Sequence, residues 1–399
     1  MASKTGACFP IGFKASGVSA GIKPSGKSDV SLLYSESPCS AAGVFTKNLA
    51  KASPVLISEK HLSESGSAQA IVFSSGNANA ANGPAGDEVS LAMCEAAAES
   101  LNLPIEQVLI AQTGLIGIPL NSEVACKGVK LAASSLKEEG GSEAAAAMMT
   151  TDTFAKESSV EIELDGELVK VGGMAKGAAM LAPSMATMLA VVTTDAKLSS
   201  SLAHEILASA MEDSFHSMIV DGCMSTNDTV FLLANGFSSA AEVTKGSDSF
   251  VKLQEAVTKV CSDLAKQMAE DGEGSSKFLT MKVAGAASKE DARLAARAVV
   301  GSVLVKCSLA GEVQYWGRII AELGASGASF DPRAVEIFYG EQKVCDKGIA
   351  CKHDQKSMDS YMLNSKIEIS ANLHAGDQSA EAYGCDLSHA YVDENMGRS

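Results

Sequence analysis

The stretch that decides the fold is GGMAKGAAMLAPSMATML, residues Gly172 to Leu189. It places one threonine, Thr187, between a loop of small residues and the apolar run TMLAVVTT. A threonine hydroxyl is a weak nucleophile unless a base lies beside it, and an N-terminal amine on the same residue is one such base. An internal threonine gains that amine only if the preceding peptide bond is broken. The sequence therefore raises the hypothesis that the protein cleaves its own bond between Ala186 and Thr187.

Strand and turn signals surround this threonine. Upstream, Glu161 to Val171 alternates apolar and polar residues around Asp165-Gly166, which predicts a β-hairpin. Pro183 favours a turn or extended chain before it. The run from Thr187 is typical of a buried strand, although a buried helix could carry the same apolar run. On spacing alone, an ordinary core strand after a glycine-rich loop, with no chemistry, explains the same residues.

Further short motifs follow one another in order along nearly the whole chain. They are GFK (12–14), GVSAG (17–21), AGVFTKN (42–48), SGNAN (75–79), TGLIG (113–117), TTDT (150–153), VDG (220–222), STNDT (225–229), DGEG (271–274), WGR (316–318) and GCDL (384–387). Each motif is weak alone, but the collinear set, with the stretch quoted above, resembles the bifunctional ornithine acetyltransferase and glutamate N-acetyltransferase family of arginine biosynthesis.

This resemblance implies a mechanism. Cleavage after Ala186 would expose Thr187 as the nucleophile, which takes an acetyl group from N-acetylornithine, releases ornithine and passes the acetyl group to glutamate. Double displacement replaces one difficult amide exchange by two acyl transfers. Each transfer forms an oxyanion, and Thr113 and Gly114 match the family's oxyanion-hole pair. Glycine suits such a position because the backbone can approach closely there.

The resemblance also implies the substrate-binding residues. The substrates carry carboxylates and amines, so the site needs both a cation and an anion. Lys176 matches the family's substrate-binding lysine, and its ammonium suits a carboxylate as a point charge. The other matching positions, which with Lys176 complete the expected substrate site, are Thr150, Thr187, Glu273, Asn395 and Ser399. No metal ligands are expected.

The chain departs from the family's pattern near its C-terminus and at three other places. It ends with Asn395 and Ser399 without the usual aromatic and threonine ending. Cys223 replaces an acidic residue, Val313-Gln314-Tyr315 replaces Asp-Pro-Asn, and His389 stands where an aromatic is usual. Altered packing explains His389, while packing and a changed acceptor preference explain residues 313–315 equally well.

Composition bounds the function. The net charge of −16 argues against nucleic acid as a partner, because such proteins carry basic patches. Ten scattered cysteines without a CxxC pair are typical of reduced thiols in a reducing compartment. The sequence has no run of 18 apolar residues, so no membrane span is expected. With Met1 native, we expect a cytoplasmic protein; removal of a transit peptide would instead indicate a plastid or the mitochondrial matrix.

Helix and strand patterns without strict βαβ alternation predict an α+β fold. Helices are predicted over Asp87 to Leu101, along an apolar stripe from Phe250 to Met268, and from Ser288 to Val300, with Ser288 and Asp291 as a capping pair. The resemblance to the ornithine acetyltransferase family implies a more definite fold: a layered α-β-β-α sandwich similar to N-terminal-nucleophile hydrolases, with a smaller C-terminal α/β subdomain over roughly residues 285–399. Residues 1–186 would form an α chain and 187–399 a β chain, assembling as two of each.

Two competing functions stay open beside the acetyltransferase. In a related self-cleaving amidase or aminopeptidase, water would take the place of glutamate. In a binding protein that kept only the fold, no cleavage would occur. The presence of Lys176 and Glu273 favours the acetyltransferase. No cofactor is expected. Acetyl-CoA as an alternative acetyl donor stays open, because the family contains both kinds of enzyme.

Overall fold

The computed structural model describes residues 4–181 and 188–396, so Ala186, Thr187 and Ser399 lie outside the described residues. The described strands are β1 (Phe13–Val18), β2 (Val30–Phe45), β3 (Ser67–Asn77), β4 (Val108–Leu115), β5 (Lys156–Leu164), β6 (Glu167–Lys176), β7 (Leu189–Thr194), β8 (Met218–Ile219), β9 (Thr229–Ala234), β10 (Phe278–Ala286), β11 (Glu336–Tyr339), β12 (Gln342–Asp346), β13 (Ile349–Ala350), β14 (Lys366–Asn372) and β15 (Gln378–Cys385).

Helices lie between many of these strands. They are α1 (Ser53–Ser65), α2 (Gly83–Leu101), α3 (Ser122–Ser134), α4 (Gly141–Met148), α5 (Ser200–Glu212), α6 (Asp248–Glu270), α7 (Lys289–Gly301), α8 (Val303–Ala310), α9 (Trp316–Ala325), α10 (Gln355–Met362) and α11 (His389–Asn395). Short 3₁₀ turns lie at Gly6–Cys8, Ile105–Gln107 and Phe215–Ser217. None of these helices has both the length and the apolar character of a membrane span.

The first sheet has the order β4-β3-β2-β9-β7-β6-β5 among the described residues, with β1 paired to β2. Strand β2 pairs with β3 through residues 30–34 and again through Cys39 and Ser40, and it pairs with β9 through residues 40–45. The register between β2 and β3 shifts between Tyr34 and Cys39. Because Ser40 pairs with both strands, β3 and β9 lie on opposite edges of β2, and the long strand joins a β2-β3-β4 half of the sheet to a half that contains β9 and β7.

Side chains alternate strictly between the two faces of each half. On the β2-β3-β4 half, one face packs against α2 and α3 through Leu32, Ala70, Val72, Val108 and Ile110. Leu33, Ile71, Phe73, Leu109 and Ala111 on its other face share one core with Leu189, Val191, Phe231 and Leu233 of the β9-β7 half. The remaining face of that second half packs against α5 and α6. The predicted α+β class and α-β-β-α layering are confirmed.

The second described sheet has the order β13-β12-β11-β14-β10-β15-β8. Its core is formed with α7, α8, α9 and α10, and it takes Ile219 of β8 from far upstream in the chain. The subdomain limit near residue 285 stays a prediction; β10, which belongs to this sheet, begins at Phe278. Strand β8 couples the two sheets, because it follows α5, which packs on the first sheet, after one short 3₁₀ turn.

The local predictions agree with these elements. β5 and β6 form the expected hairpin, and its turn residues Asp165 and Gly166 have φ of 51° and 85°. The apolar stripe of α6 is buried from Leu253 to Met268, with Phe250 partly buried, and the hydroxyl of Ser288 accepts the N–H of Asp291 at the start of α7. Helix α2 begins at Gly83, earlier than expected. Strand β7 begins at Leu189, so Met188 precedes the strand.

Candidate active site

Three of the predicted residues meet at the end of β6. Lys176, the last residue of β6, pairs with Leu189 at the start of β7. Its buried Nζ donates to Thr150 Oγ1 at 2.8 Å and to Thr113 Oγ1 at 3.4 Å. Residues far apart in sequence therefore surround one ammonium group. The strand pairing also places that group beside the strand that leads back to the predicted cleavage site.

Gly114 is at a position that no other residue would fit. Strand β4 runs parallel to β3, and Gly114 lies in register with Gly76. Gly114 has a φ of +132°, and a Cβ added there would lie 2.3 Å from the Gly76 carbonyl carbon. Backbone therefore touches backbone, and Gly114 adopts a conformation that L side chains rarely take. The close contact is with the neighbouring strand, and the role of Thr113 and Gly114 as an oxyanion-hole pair stays a prediction.

A buried ion-pair network lies beneath Lys176. Asp152 accepts the N–H of Gly177 and the Nζ of Lys156, at 2.7 and 2.6 Å, and lies 3.9 Å from Lys176 Nζ. Lys156 also forms an ion pair with Asp271. Burial lowers the pKa of Lys176, against the attraction of Asp152. Burial would raise the pKa of Asp152, but Lys176 and Lys156 outweigh it and hold that pKa at about 2. Asp152 is therefore ionised at neutral pH.

The Asp-Gly-Glu-Gly turn, residues 271–274, carries Glu273, the residue predicted to supply the negative charge of the substrate site. The backbone N–H of Glu273 donates to the Ala178 carbonyl at 2.9 Å, and Asn395 Nδ2 donates to Glu273 Oε2 at 2.8 Å. A Cβ on Gly274 would lie 2.2 Å from the Tyr391 nitrogen, so α11 packs directly on this turn. The C-terminal helix thus brings Asn395 to Glu273, and their contact with substrate stays a prediction.

The predicted residues that the structure describes line one cavity of about 530 Å³; these are Thr113, Gly114, Thr150, Lys176, Glu273 and Asn395. Ala186, Thr187 and Ser399 lie outside the described residues. Cys223 and residues 313–315 are absent from the described lining of this cavity. Arg318 instead stacks on the Tyr315 ring, with 4.8 Å from its Cζ to the ring centre. This contact favours packing as the explanation for residues 313–315.

Two aspartates fix the chain on either side of residues 182–187. Asp221 accepts the backbone N–H groups of Met180 and Leu181, at 2.5 and 3.0 Å. Fully buried Asp228 accepts the N–H of Met188 at 3.0 Å, and burial raises its pKa well above that of an ordinary aspartate. In the sequence, Asp221 and Asp228 stand out only as members of motifs that carry the family resemblance. Their positions in the VDG and STNDT motifs were the available signal for a structural role.

We expect Lys156→Met to destabilise the fold strongly. The substitution leaves Asp152 and Asp271, both buried, without their shared cation. Removing one partner of a buried ion pair typically costs about 3–5 kcal/mol. The free energy of unfolding, measured by urea denaturation, gives the comparison. Lys259→Met is the matched control, because Lys259 pairs with Asp263 at the same i,i+4 spacing but at the surface. Equal losses in the two variants would contradict the prediction.

The described fold and cavity are those of a mixed α and β enzyme with an α-β-β-α layered core. A sequence model of the ArgJ family matches residues 14–397, and the chain belongs to this family.

Individual relatives agree with this assignment. The chain is similar to a protein of Symbiobacterium thermophilum called "Arginine biosynthesis bifunctional protein ArgJ", with 44% identity over 392 residues, which are 98% of this chain and 97% of the relative. A protein of the same name from Caldanaerobacter subterraneus is 42% identical over 97% of this chain and 96% of its own length. The solved structure of a Bacillus halodurans protein of that name gives a TM-score of 0.51 at 34% identity, covering 52% of this chain and 98% of that one.

Proposed function

We propose that this protein is an acetyltransferase that moves an acetyl group from N-acetylornithine to glutamate through an acetyl ester on Thr187. The observation that carries the proposal is one cavity that combines Thr113 and Gly114 with Lys176 and Glu273. Those residues supply donors for an oxyanion, a cation for a carboxylate and an anion for an amine. Membership of a family whose relatives are named for arginine biosynthesis supports the substrate class.

The first step of the proposed mechanism is self-cleavage. The Thr187 hydroxyl attacks the Ala186 carbonyl, the peptide C–N bond breaks, and the new ester is opened by water. Ala186 then ends in a carboxylate, and Thr187 begins with an α-amine. The anchored backbone N–H groups of Leu181 and Met188, one on each side of the proposed cleavage site, support this step, because the carboxylates of Asp221 and Asp228 hold them in place.

The second step is acyl transfer. An α-amine has an ordinary pKa of about 7.7–8.0, so at neutral pH it can take the proton of its own hydroxyl. The oxygen attacks the acetyl carbonyl of N-acetylornithine, and the proton passes to the leaving nitrogen of ornithine. Glutamate's amine then attacks the acetyl ester and restores the Thr187 hydroxyl. Removing one oxyanion donor from such a site typically costs roughly 2.7–4 kcal/mol.

The remaining parts of the proposal concern the assembly and its surroundings. Two α and two β chains would form the enzyme in the cytoplasm, with no cofactor and no nucleic-acid or membrane partner. Acetyl-CoA is the open alternative as an acetyl donor. Measuring N-acetylglutamate formation with acetyl-CoA and, separately, with N-acetylornithine shows whether the enzyme uses only N-acetylornithine or both molecules as acetyl donors.

The decisive test follows the acetyl group. The purified protein is incubated with N-acetylornithine, labelled in the acetyl group, and with or without glutamate. We expect the label in N-acetylglutamate, with ornithine released in equal amount. Free acetate formed as fast without glutamate as N-acetylglutamate is formed with it would overturn the proposal in favour of a self-cleaving amidase.

A further inference from the structure

The loop between β1 and β2 is fixed by one buried carboxylate. The Asp29 side chain accepts the backbone N–H groups of Ala20, Gly21, Ile22 and Lys23, at distances of 2.6, 3.0, 2.6 and 3.0 Å. Four amide donors on one carboxylate leave this part of the loop little freedom. The backbone of Lys23 is therefore held in a defined place.

Lys23 belongs to the lining of the cavity of the candidate active site. Its Nζ donates to the carbonyls of Ser28 and Met149, both at 2.7 Å. A Cβ on Gly76 would lie 2.9 Å from Lys23 Cγ, so the lysine stem crosses the glycine that is in register with Gly114. Among the described residues the Nζ has no third acceptor, although an ammonium carries three N–H donors.

The charges that line the cavity match one of the two proposed substrates. Within the part of the chain that the structure describes, the charged lining residues are Lys23, Lys176 and Glu273. Glutamate carries two carboxylates and one amine, which two cations and one anion complement. N-acetylornithine carries only one carboxylate. One lysine is therefore available for a group that only the acceptor has.

Position decides which lysine takes which carboxylate. Lys176 Nζ lies 3.4 Å from Thr113 Oγ1, beside the proposed oxyanion site. The α-carboxylate is attached to the carbon that bears the attacking amine, so it stays close to the reacting carbonyl and suits Lys176. We infer that Lys23 binds the side-chain carboxylate of the acceptor glutamate and thereby sets acceptor specificity. This inference rests on the proposed function.

The charges around Lys23 are consistent with an ammonium group that is protonated at neutral pH and is not fully neutralised by nearby carboxylates. Burial lowers the pKa of Lys23 to about 8, with Asp29 and Asp152 raising it and Lys176 and Lys27 lowering it. The group is thus mostly protonated at pH 7. A bound carboxylate would stabilise the ammonium further, because an opposite charge nearby favours the charged form.

The experiment compares glutamate with glutamine as acceptors of the acetyl group from N-acetylornithine. The two molecules have the same shape and differ in the side-chain charge. We expect the wild-type protein to prefer glutamate, measured as the ratio of kcat/KM values. In Lys23→Met this ratio should fall by about tenfold or more, because an unpaired carboxylate is costly in a partly buried site. Lys23→Arg keeps the charge and should retain most of the preference.

Lys27→Met is the matched control, since Lys27 lies on the same loop and is exposed. It should leave the preference unchanged. If Lys23 has only a structural role, Lys23→Met lowers kcat/KM equally for glutamate and for glutamine, and the ratio stays as in wild type. That result overturns the inference. If the wild-type protein itself transfers no acetyl group to glutamate, the proposed function fails instead, so the two failures are distinguishable.

Discussion

Thr187→Ala is expected to give a single uncleaved chain without acetyl transfer. The substitution removes the hydroxyl that is proposed both to attack Ala186 and to carry the acetyl group. Loss of the nucleophile in comparable covalent mechanisms lowers kcat by roughly 10⁴-fold or more. Intact-mass measurement should find fragments 1–186 and 187–399 in wild type, and only the full chain in the variant.

Thr187→Ser is the matched control, because it keeps a hydroxyl and, after cleavage, the same α-amine. We expect it to be cleaved and to retain part of the activity. Acetyl transfer by an uncleaved Thr187→Ala chain would remove the proposed mechanism. The same conclusion would follow if mature wild-type protein contained no fragment that begins with Thr187.

Gly114→Ala is expected to cause the second largest loss. Its Cβ would meet the Gly76 backbone at 2.3 Å, and neither strand can give way without disturbing the β3–β4 pairing. The proposed oxyanion donor would be displaced, and loss of one such donor typically lowers kcat by about 10²–10³-fold. Steady-state acetyl transfer to glutamate measures this effect.

Gly117→Ala separates the steric effect from backbone strain. Gly117 also has a positive φ, of 74°, but nothing lies within 4 Å of its Cβ position. Alanine there should lower stability modestly and leave kcat close to wild type. If both variants lost activity equally, strain near the end of β4 would explain the result, and close approach at Gly114 would not.

Local structure was predictable where short-range chemistry decides it. Asp165-Gly166 marks a two-residue turn, and the strands on either side pair as expected. The stripe along α6 is buried because its apolar residues repeat with the helical period. The start of β7 was less well predicted: the apolar run begins at Thr187, but the strand begins at Leu189, because apolar residues alone do not mark where a strand starts.

The long-range arrangement was not readable from the residues alone. Nothing in the sequence near Lys156 indicates that Asp271, 115 positions later, forms its ion pair. Likewise, the pairing of β2 with β9 joins strands that lie far apart in sequence. The site residues came from resemblance to a family, which supplied Thr113, Lys176 and Glu273 but not Lys23. Lys23 lines the cavity from a loop that Asp29 holds through backbone hydrogen bonds, which no short motif indicates.

The strand order β2-β9-β7-β6 has a consequence for the fate of a cut chain. Strands β7 and β9 follow the proposed break, yet they lie between β2 and β6, which precede it. Fragments 1–186 and 187–399 would both contribute strands to one hydrogen-bonded sheet, so they should co-purify without any covalent link. Once denatured, they would have to find each other again, and recovery of the native state should become dependent on concentration.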